Sequence, residues 1–360
     1  MGCAKSGDDA RQWGADEAPR TSGGRFHLHR GHRRDADEHA EALRHWDQRY
    51  EQLSSGPFEG WLTDVWLDEV QVFRERTRQV VLQTGRSWPD ACIVGLVQGA
   101  EGDGSFCGHP LEAGSAFAFG TPGEFSLRTP ARLDVVGIAV PLDAIRRRGD
   151  RTGDDAAADR WDRSGADLLR ETEALAALNT YVRHFFEMLD RDASPFDHQE
   201  ARRTFVTSLL DGVEAAVEGA RLRDRVPASS PARSALVGRA REFIAGHCAA
   251  PMTVADLCAE LGSSRRTLQY CFQEVLGVSP VQYLRAVRLN GVRRELKTAG
   301  GTARIGDIAA RWGFWHLGQF SLDYRRMFGE RPSDTLRRAP VTARPANPDL
   351  GGQPKTGKGS

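Results

Sequence analysis

Polar side chains able to hydrogen-bond to base edges recur at helical spacing in residues 253–277. Arg266, Gln269, Tyr270 and Gln273 stand at i, i+3, i+4 and i+7, so an α-helix would place them along one face. The apolar residues between them fall on the opposite face: Leu268, Phe272 and Val275. Arg suits guanine and Gln suits adenine in a major groove. Taken alone, such a stripe is equally typical of a solvated helix face.

The surrounding residues predict a helix-turn-helix unit that would position this face. Thr253 can cap a first helix with Asp256 three residues on, Gly262 ends that helix, and Ser263 or Ser264 caps the second. The second helix of such a pair is the one that enters a major groove.

The same plan occurs twice, which favours the DNA-reading interpretation over a solvated face. Residues 304–328 contain an apolar helix over 305–312, a turn at Gly313, and a second helix whose inward face is aromatic. A connecting helix is predicted over 281–297, with core-like spacing of its leucines. Two reading helices on one connecting helix can address successive major-groove faces about 34 Å apart.

Charge is distributed in agreement with this interpretation, although the whole chain has a net charge of zero. Residues 233–338 carry 17 Lys and Arg against 9 Asp and Glu, a net +8, whereas residues 1–232 carry 29 against 39, a net −10. A basic module joined to an acidic one is expected of a nucleic-acid-binding domain fused to a domain with another role.

Composition divides the chain into five parts. Residues 1–40 have almost no apolar periodicity and predict a disordered arm, in which three histidines near His29 form a solvated basic patch. Residues 41–222 begin with short apolar segments at the spacing of a sandwich or barrel and continue, after Pro141, with amphipathic helices. These helices would either cover the barrel or pair two subunits. A linker over 223–233, the helical block 234–338 and a disordered tail 339–360 follow.

Several function classes lack their signatures. The six cysteines form no CxxC pair, and apolar surroundings predict buried free thiols in a reducing compartment, hence a cytoplasmic protein. No segment approaches the roughly 20 apolar residues of a membrane span. The barrel region has His109 but no His and Glu cluster for a metal, and no nucleophile motif stands in a recognisable context. We therefore predict no catalytic residue, no metal site and no covalent cofactor.

The paired units resemble the DNA-binding domain of AraC/XylS-type transcription regulators. The resemblance is carried by VSPVQYLRAVRLNGVRRELK between the units, by Gly313 and Phe314, and by the closing RRMFGERPSDTLRR. Further similarity, in SRRTLQYCFQ, WGFWHLGQF and GPFEGWLTDVWLDEVQVFRE, is to the branch of the family that regulates ethanolamine operons. It implies an α+β multidomain fold: an N-terminal cupin-like β-barrel with flanking helices, followed by an all-α domain with two helix-turn-helix motifs.

The resemblance also implies roles for individual residues. Family base-contact positions fall on Arg266, Gln269 and Tyr270 in the first unit and on Gly318, Gln319 and Leu322 in the second, where Leu322 could touch only a thymine methyl. The expected base contacts are Arg266, Gln269, Tyr270, Gln273, His316 and Gln319. The expected phosphate contacts are Ser264, Arg265, Arg285, Arg311 and Arg325. Trp315 and His316 are not explained by packing.

Partners and effectors follow from the same resemblance. It implies promoter DNA, RNA polymerase, and joint induction by ethanolamine and adenosylcobalamin. A homodimer formed through residues 155–220 is the second use open to the amphipathic helices. A protonated amino alcohol favours a carboxylate and an aromatic face, and Trp66, Glu75 and Trp88 are candidates. Two alternatives stay open: a regulator of this type that responds to another small molecule, and a cupin-type enzyme with a helical dimerisation tail.

Overall fold

The computed structural model forms two domains, which we call the sensor domain (residues 26–221) and the reader domain (residues 231–339) after the roles that the sequence predicts for them. It describes residues 26–120, 124–153, 166–169, 171–221, 231–247, 252–299 and 303–339. The predicted linker at 223–233 lies largely outside these residues, as does nearly all of the predicted tail.

Twelve antiparallel strands make up the sensor sheets. They are β1 (Phe26–Arg33), β2 (Asp47–Gln52), β3 (Glu59–Leu67), β4 (Val70–Arg78), β5 (Val81–Arg86), β6 (Ala91–Glu101), β7 (Gly104–Phe106), β8 (His109–Leu111), β9 (Ala116–Gly120), β10 (Glu124–Arg128), β11 (Arg132–Pro141) and β12 (Ala166–Leu169). Sheet one has the order β1-β3-β4-β11-β6-β9-β12, and sheet two the order β2-β5-β10-β7-β8. Neither sheet closes on itself in the described residues, so the predicted cupin-like barrel is not confirmed and the observed form is a sandwich.

The strand boundaries differ from the sequence prediction at the turn between β3 and β4, which the sequence analysis did not predict. One of the short apolar segments, VWLDEVQVF (residues 65–73), reads as a single strand in the sequence, whereas the structure folds it into the hairpin between β3 and β4. Asp68 takes a φ of +55° in this turn, a left-handed conformation that Asp tolerates better than most residues.

Helices complete a three-layer sensor domain. They are α1 (Ala36–Ala42), α2 (Leu142–Thr152), α3 (Glu173–Arg191) and α4 (Gln199–Arg221). The apolar faces of α3 and α4 pack on sheet one through residues such as Val182, Phe185 and Leu209, each at most 1% exposed. The other face of sheet one packs against sheet two around an aromatic cluster. The helices thus cover the sandwich, which was one of the two uses predicted for them.

The described residues of the reader domain form seven helices: α5 (Pro231–Gly246), α6 (Val254–Glu260), α7 (Arg265–Leu276), α8 (Pro280–Thr298), α9 (Ile305–Arg311), α10 (Leu317–Phe328) and α11 (Pro332–Arg338). The predicted caps are present. Thr253 and Asp256 form a capping box, and the Ser264 hydroxyl accepts from the Thr267 amide. Gly262 and Gly313 take positive φ in the two turns, as their predicted role requires.

The connecting helix α8 fixes the two helix-turn-helix units to each other. Helix α9 ends one residue before the predicted end, and the Trp312 ring packs directly over Gly291 of α8. A Cβ on Gly291 would lie 2.2 Å from that ring, so only glycine permits this approach. The Trp312 indole also donates to Glu295 of α8 at 2.8 Å.

Helix α8 is also the surface on which the sensor domain rests. Residues 26–40, predicted to be a disordered arm, instead form β1, which pairs with β3 along its whole length, and most of α1, which Asp35 caps while it also pairs with α8. Its carboxylate accepts from Arg293 at 2.8 Å and from Lys297 at 2.7 Å. Arg294 pairs with Asp37 at 2.8 Å and with Glu51 at 3.0 Å. These six side chains form the inter-domain ion network.

A pair of buried amides continues this contact beside the ion network. The Asn290 side chain donates to the Gln52 carbonyl at 3.0 Å, and its oxygen accepts from the Gln52 amide at 3.3 Å. The Gln52 side chain reaches the Met327 carbonyl of α10 at 2.8 Å. Leaving any of these buried groups without a partner costs about 1–3 kcal/mol, so they fix one docking geometry.

Asp35 makes this contact sensitive to acid. Burial would raise the pKa of its carboxyl, but Arg293 and Lys297 outweigh burial and lower the pKa from 3.8 to about 2. Because the folded-state value is the lower one, the stabilisation is complete above pH ~4 and is lost as the pH falls towards 2. It amounts to about 2 kcal/mol.

We predict that Asp35→Asn lowers the free energy of unfolding by about 2 kcal/mol at pH 7, because it removes the carboxylate that Arg293 and Lys297 share and leaves them with Glu330 and Glu38 respectively. The change should also flatten the pH dependence between 4 and 2. Urea unfolding across that range measures both effects. Asp190→Asn is the control, since Asp190 pairs with Arg30 on the surface and should change stability by less than ~1 kcal/mol. Equal losses in the two variants would contradict this account.

Candidate nucleic-acid interface

Helix α7 presents the predicted base-contact residues to solvent. Arg266, Gln269, Tyr270 and Gln273 are all exposed, while Leu268 and Phe272 are fully buried beneath them. The sequence periodicity therefore assigned the two faces of this helix correctly. The structure brings the four residues together along one exposed ridge.

The four side chains are not equally available for base contacts. The Gln273 amide donates to the Gly277 carbonyl at 3.2 Å, which folds it back on the end of its own helix. Arg233 of α5 lies over one face of the Tyr270 ring at 5.0 Å. Arg266 and Gln269 have no hydrogen-bond or ion-pair partner within the described part of the chain. They are therefore the side chains of α7 best placed to read a base.

Helix α10 presents a different surface, in which Gln319 is held by an acidic neighbour. Its side-chain amide donates to Asp323 at 2.9 Å, and Arg285 of α8 pairs with the other Asp323 oxygen. Gln319 keeps its carbonyl oxygen and one N–H for a base edge. His316 is exposed at the N-cap position of α10 and makes no side-chain cap. Sequence reasoning missed Asp323, because its effect depends on the contact with α8.

Large apolar side chains surround Gln319. Trp315 is 70% exposed, Leu317 49% and Leu322 66%. Apolar groups clustered in this way usually mark a surface that contacts a partner. In a major groove, such groups can contact thymine methyls. The sequence did not predict where Trp315 would pack. In the structure its side chain faces solvent, just before the start of α10.

The candidate phosphate contacts fall into three groups. Ser264 caps α7 and is exposed. Arg265 and Arg325 are exposed and have no ion-pair partner in the described residues, so their charge is available. Arg285 and Arg311 are already paired, with Asp323 and Glu295 respectively. A phosphate would have to compete with those carboxylates, so we expect Arg285 and Arg311 to contribute less to DNA affinity than Arg265 and Arg325.

The three candidate ligand residues of the sensor domain do not form one site. Trp66 and Trp88 pack on each other in the core, with ring centroids 5.7 Å apart. Glu75 lies apart from them, where its carboxylate accepts from Tyr50 at 2.9 Å and Gln83 at 3.1 Å and bonds His39 at 3.1 Å. It borders an aromatic-lined cavity of about 40 Å³, which neither tryptophan lines. Burial, with the charge of Glu75, raises the pKa of Tyr50.

The described residues offer neither a metal-binding cluster nor a helix that could span a membrane. They contain no group of three or more His, Cys, Asp or Glu side chains arranged to hold a metal ion. None of their helices has the length and apolar character needed to cross a bilayer.

Residues 257–338 match the family described as "Helix-turn-helix domain". The chain is 31% identical over 177 residues to the probable thc operon regulatory protein of Rhodococcus erythropolis, covering 49% of this chain and 53% of that protein. It is 43% identical over 75 residues to the XylDLEGF operon transcriptional activator of Pseudomonas putida, covering 21% and 23%. Helices α6 to α11 thus contain a helix-turn-helix domain similar to those of these two regulatory proteins.

These relatives are transcription regulators rather than enzymes. The chain spans about half the length of the Rhodococcus protein and about a quarter of the Pseudomonas protein, so neither fixes the role of the sensor domain. Among solved structures, the AraC-like transcriptional activator CuxR aligns with a TM-score of 0.38 at 20% identity, covering 79% of this chain and 100% of that chain. The similarity to an ethanolamine-operon branch has no counterpart among these relatives.

Leu322→Arg tests the apolar surface of α10. The change would add a donor for guanine where Leu322 can touch only a methyl group, so we predict selection of a guanine at one position of the bound site. Binding-site selection from random duplexes, with the wild-type chain in parallel, measures the preference. Leu175→Met, a conservative change in the sensor core, is the control and should leave the site unchanged. Identical sites for Leu322→Arg and wild type would show that this position does not meet a base.

Proposed function

We propose that the chain is a sequence-specific DNA-binding regulator of transcription that acts as an activator. The observation that carries the proposal is the pair of exposed reading helices, α7 and α10, joined rigidly by α8. The basic charge of the same residues supports it, since cations near the helices would contact phosphates. The name of the Pseudomonas relative, a transcriptional activator, supports activation rather than repression.

The remaining partners are part of this proposal. Activation requires a contact with RNA polymerase, and a cytoplasmic location agrees with the cysteine content of the chain. A homodimer, if formed through residues 155–220, would have to use the outer faces of α3 and α4, because their apolar faces pack on sheet one. Analytical ultracentrifugation of the full chain distinguishes monomer from dimer.

Specific binding is the first property to measure. The full chain should select one site from a library of random duplexes and bind it at least ~10³ times more tightly than unrelated duplex at the same salt concentration. Fluorescence anisotropy with labelled duplexes gives both affinities. Equal affinity for the selected and the unrelated duplex would overturn the proposal.

Arg266 and Arg325 should differ in what they contribute to binding. Arg266→Ala should cost about 1–3 kcal/mol on the selected site and relax the preference at one base pair, since Arg266 faces the base edges. Arg325→Ala should weaken binding to every duplex alike and reduce the salt slope by about 1. Arg183→Ala, an exposed change on α3, is the control. If both reader variants lose affinity uniformly, Arg266 contacts phosphate rather than a base.

We further propose that ethanolamine and adenosylcobalamin together control the regulator. This proposal rests on the sequence resemblance to the ethanolamine-operon branch. One structural feature supports the ethanolamine half: a carboxylate, Glu75, stands beside an aromatic-lined cavity, the chemistry that a small ammonium ion favours. The structure gives less support to binding of adenosylcobalamin. The cavity between sheet two and helices α5, α7 and α8 measures about 680 Å³, which suits a drug-sized ligand and is too small to enclose a corrinoid.

One experiment distinguishes the effect of ethanolamine from that of adenosylcobalamin. Binding to a promoter of an ethanolamine operon is measured without effector, with ethanolamine, with adenosylcobalamin and with both. Joint induction predicts a change in affinity or in the extent of protection only with both. The same affinity in all four samples would replace this assignment with a regulator that responds to another molecule.

A further inference from the structure

Asp323 is an acidic residue in a helix that is proposed to meet a polyanion. It lies on α10, one turn after Gln319, and is 9% exposed. A carboxylate close to phosphates is unfavourable, because like charges repel. Here Arg285 of the connecting helix α8 forms an ion pair with it. The pair neutralises the carboxylate, so Asp323 can stay beside a DNA-binding surface without repelling the duplex.

Both oxygens of Asp323 are engaged inside the protein. Oδ2 accepts from Arg285, and Oδ1 accepts from the Gln319 side-chain amide at 2.9 Å. An exposed carboxylate can accept from the amino group of cytosine in a major groove. The Asp323 side chain is too deeply buried for that contact, so it acts on a base through Gln319.

The contact with Asp323 fixes which way round the Gln319 amide lies. An ionised carboxylate has acceptors and no donor, so it holds the Nε2 group of Gln319 and keeps Oε1 away. Without such a neighbour, a half-turn about the last torsion angle exchanges the two ends of the amide. With Nε2 held, the groups left for a base are Oε1 and the second N–H.

This pair of groups is complementary to adenine. Adenine presents the N7 acceptor and the N6 donor in the major groove, whereas guanine presents two acceptors, N7 and O6. One N–H and one carbonyl oxygen match adenine, but against guanine the oxygen of Gln319 would face a second acceptor. Gln319 is exposed and is the third residue of α10, and the first residues of a recognition helix are those that contact base edges.

Leu322 favours the same base pair by a different contact. It follows Gln319 by three residues, so the two side chains are neighbours on the surface of α10, and it is 66% exposed. Thymine is the base that carries a methyl group in the major groove. An amide that reads adenine and an apolar side chain that touches a methyl group are both satisfied by A·T pairs.

We propose that Asp323 is a positioning residue that determines specificity: held by Arg285, it fixes the Gln319 amide in the orientation that selects adenine over guanine at one base pair. The inference rests on the proposed function, because it requires α10 to lie in a major groove. It identifies the base that α10 reads and the buried carboxylate that sets the choice.

The base pair is located first. The full chain and the Gln319→Ala variant each select a binding site from random duplexes. Gln319→Ala should lose the preference for adenine at one position and keep the others. Because Gln319 is exposed, this variant does not disturb the core.

Asp323→Asn then tests the orientation with almost no change of shape. The new amide can donate to Oε1 of Gln319, which turns the two N–H groups of Gln319 towards the base, where they suit guanine. Fluorescence anisotropy compares the selected duplex with one that has guanine in place of that adenine. The wild-type chain should prefer adenine by about tenfold or more, and Asp323→Asn by about threefold or less.

Three variants separate orientation from a structural role. Asp323→Glu keeps a group that only accepts hydrogen bonds within reach of Gln319, so it should retain the preference for adenine. Asp307→Asn, which removes an exposed carboxylate of α9, is the matched control and should behave like the wild type. The double variant Asp323→Asn with Gln319→Ala should have the base preference of Gln319→Ala alone, because Asp323 acts through Gln319.

Failure of this inference is distinguishable from failure of the proposed function. If the wild-type chain selects no site, both are overturned. If it selects a site, the inference alone is overturned by any of three results: Gln319→Ala changes no position, Asp323→Asn keeps the full preference for adenine, or Asp323→Glu loses it as Asp323→Asn does. A lower Tm for Asp323→Asn with equal weakening on both duplexes would assign Asp323 a structural role and also overturn it.

Discussion

The docking of the sensor domain onto α8 determines the arrangement of the whole chain. Asp35 is central, because one carboxylate caps α1 and also pairs with two cations of α8. Asp37 of α1 adds a third pair, with Arg294 of the same helix. Together these ion pairs hold the helix that spaces the two reading helices against α1 and sheet two.

Helix α8 therefore contacts both domains, but through different kinds of interaction. Towards the helix-turn-helix units it offers close packing, as Gly291 does for Trp312. Towards the sensor it offers buried polar groups that must find particular partners, as Asn290 does in Gln52. Polar contacts of this kind select one geometry more strongly than apolar packing does. A change at the sensor is thus able to alter how α7 and α10 are presented.

The reader was predictable from sequence because its signals are local. Caps, glycine turns and the 3.6-residue periodicity act within one helix, and they gave Ser264, Gly262 and the exposed ridge of α7 correctly. Long-range contacts were not predictable. The pairing of Asp35 with Arg293 and that of Asp323 with Arg285 each join residues far apart in the chain. The turn at Asp68 was missed because an apolar run hid it, and sheet closure cannot be derived from strand spacing.

The two reading surfaces are chemically unlike, since α7 carries hydrogen-bonding groups and α10 carries exposed apolar groups around one amide. Fixed on one connecting helix, they require two contacts on the same face of a duplex. Hydroxyl-radical footprinting of the full chain on its selected site measures this most directly. The account predicts two protected blocks about 10 base pairs apart on one face, each weakened separately by changes in α7 or α10. A single block, or uniform protection along the duplex, would contradict it.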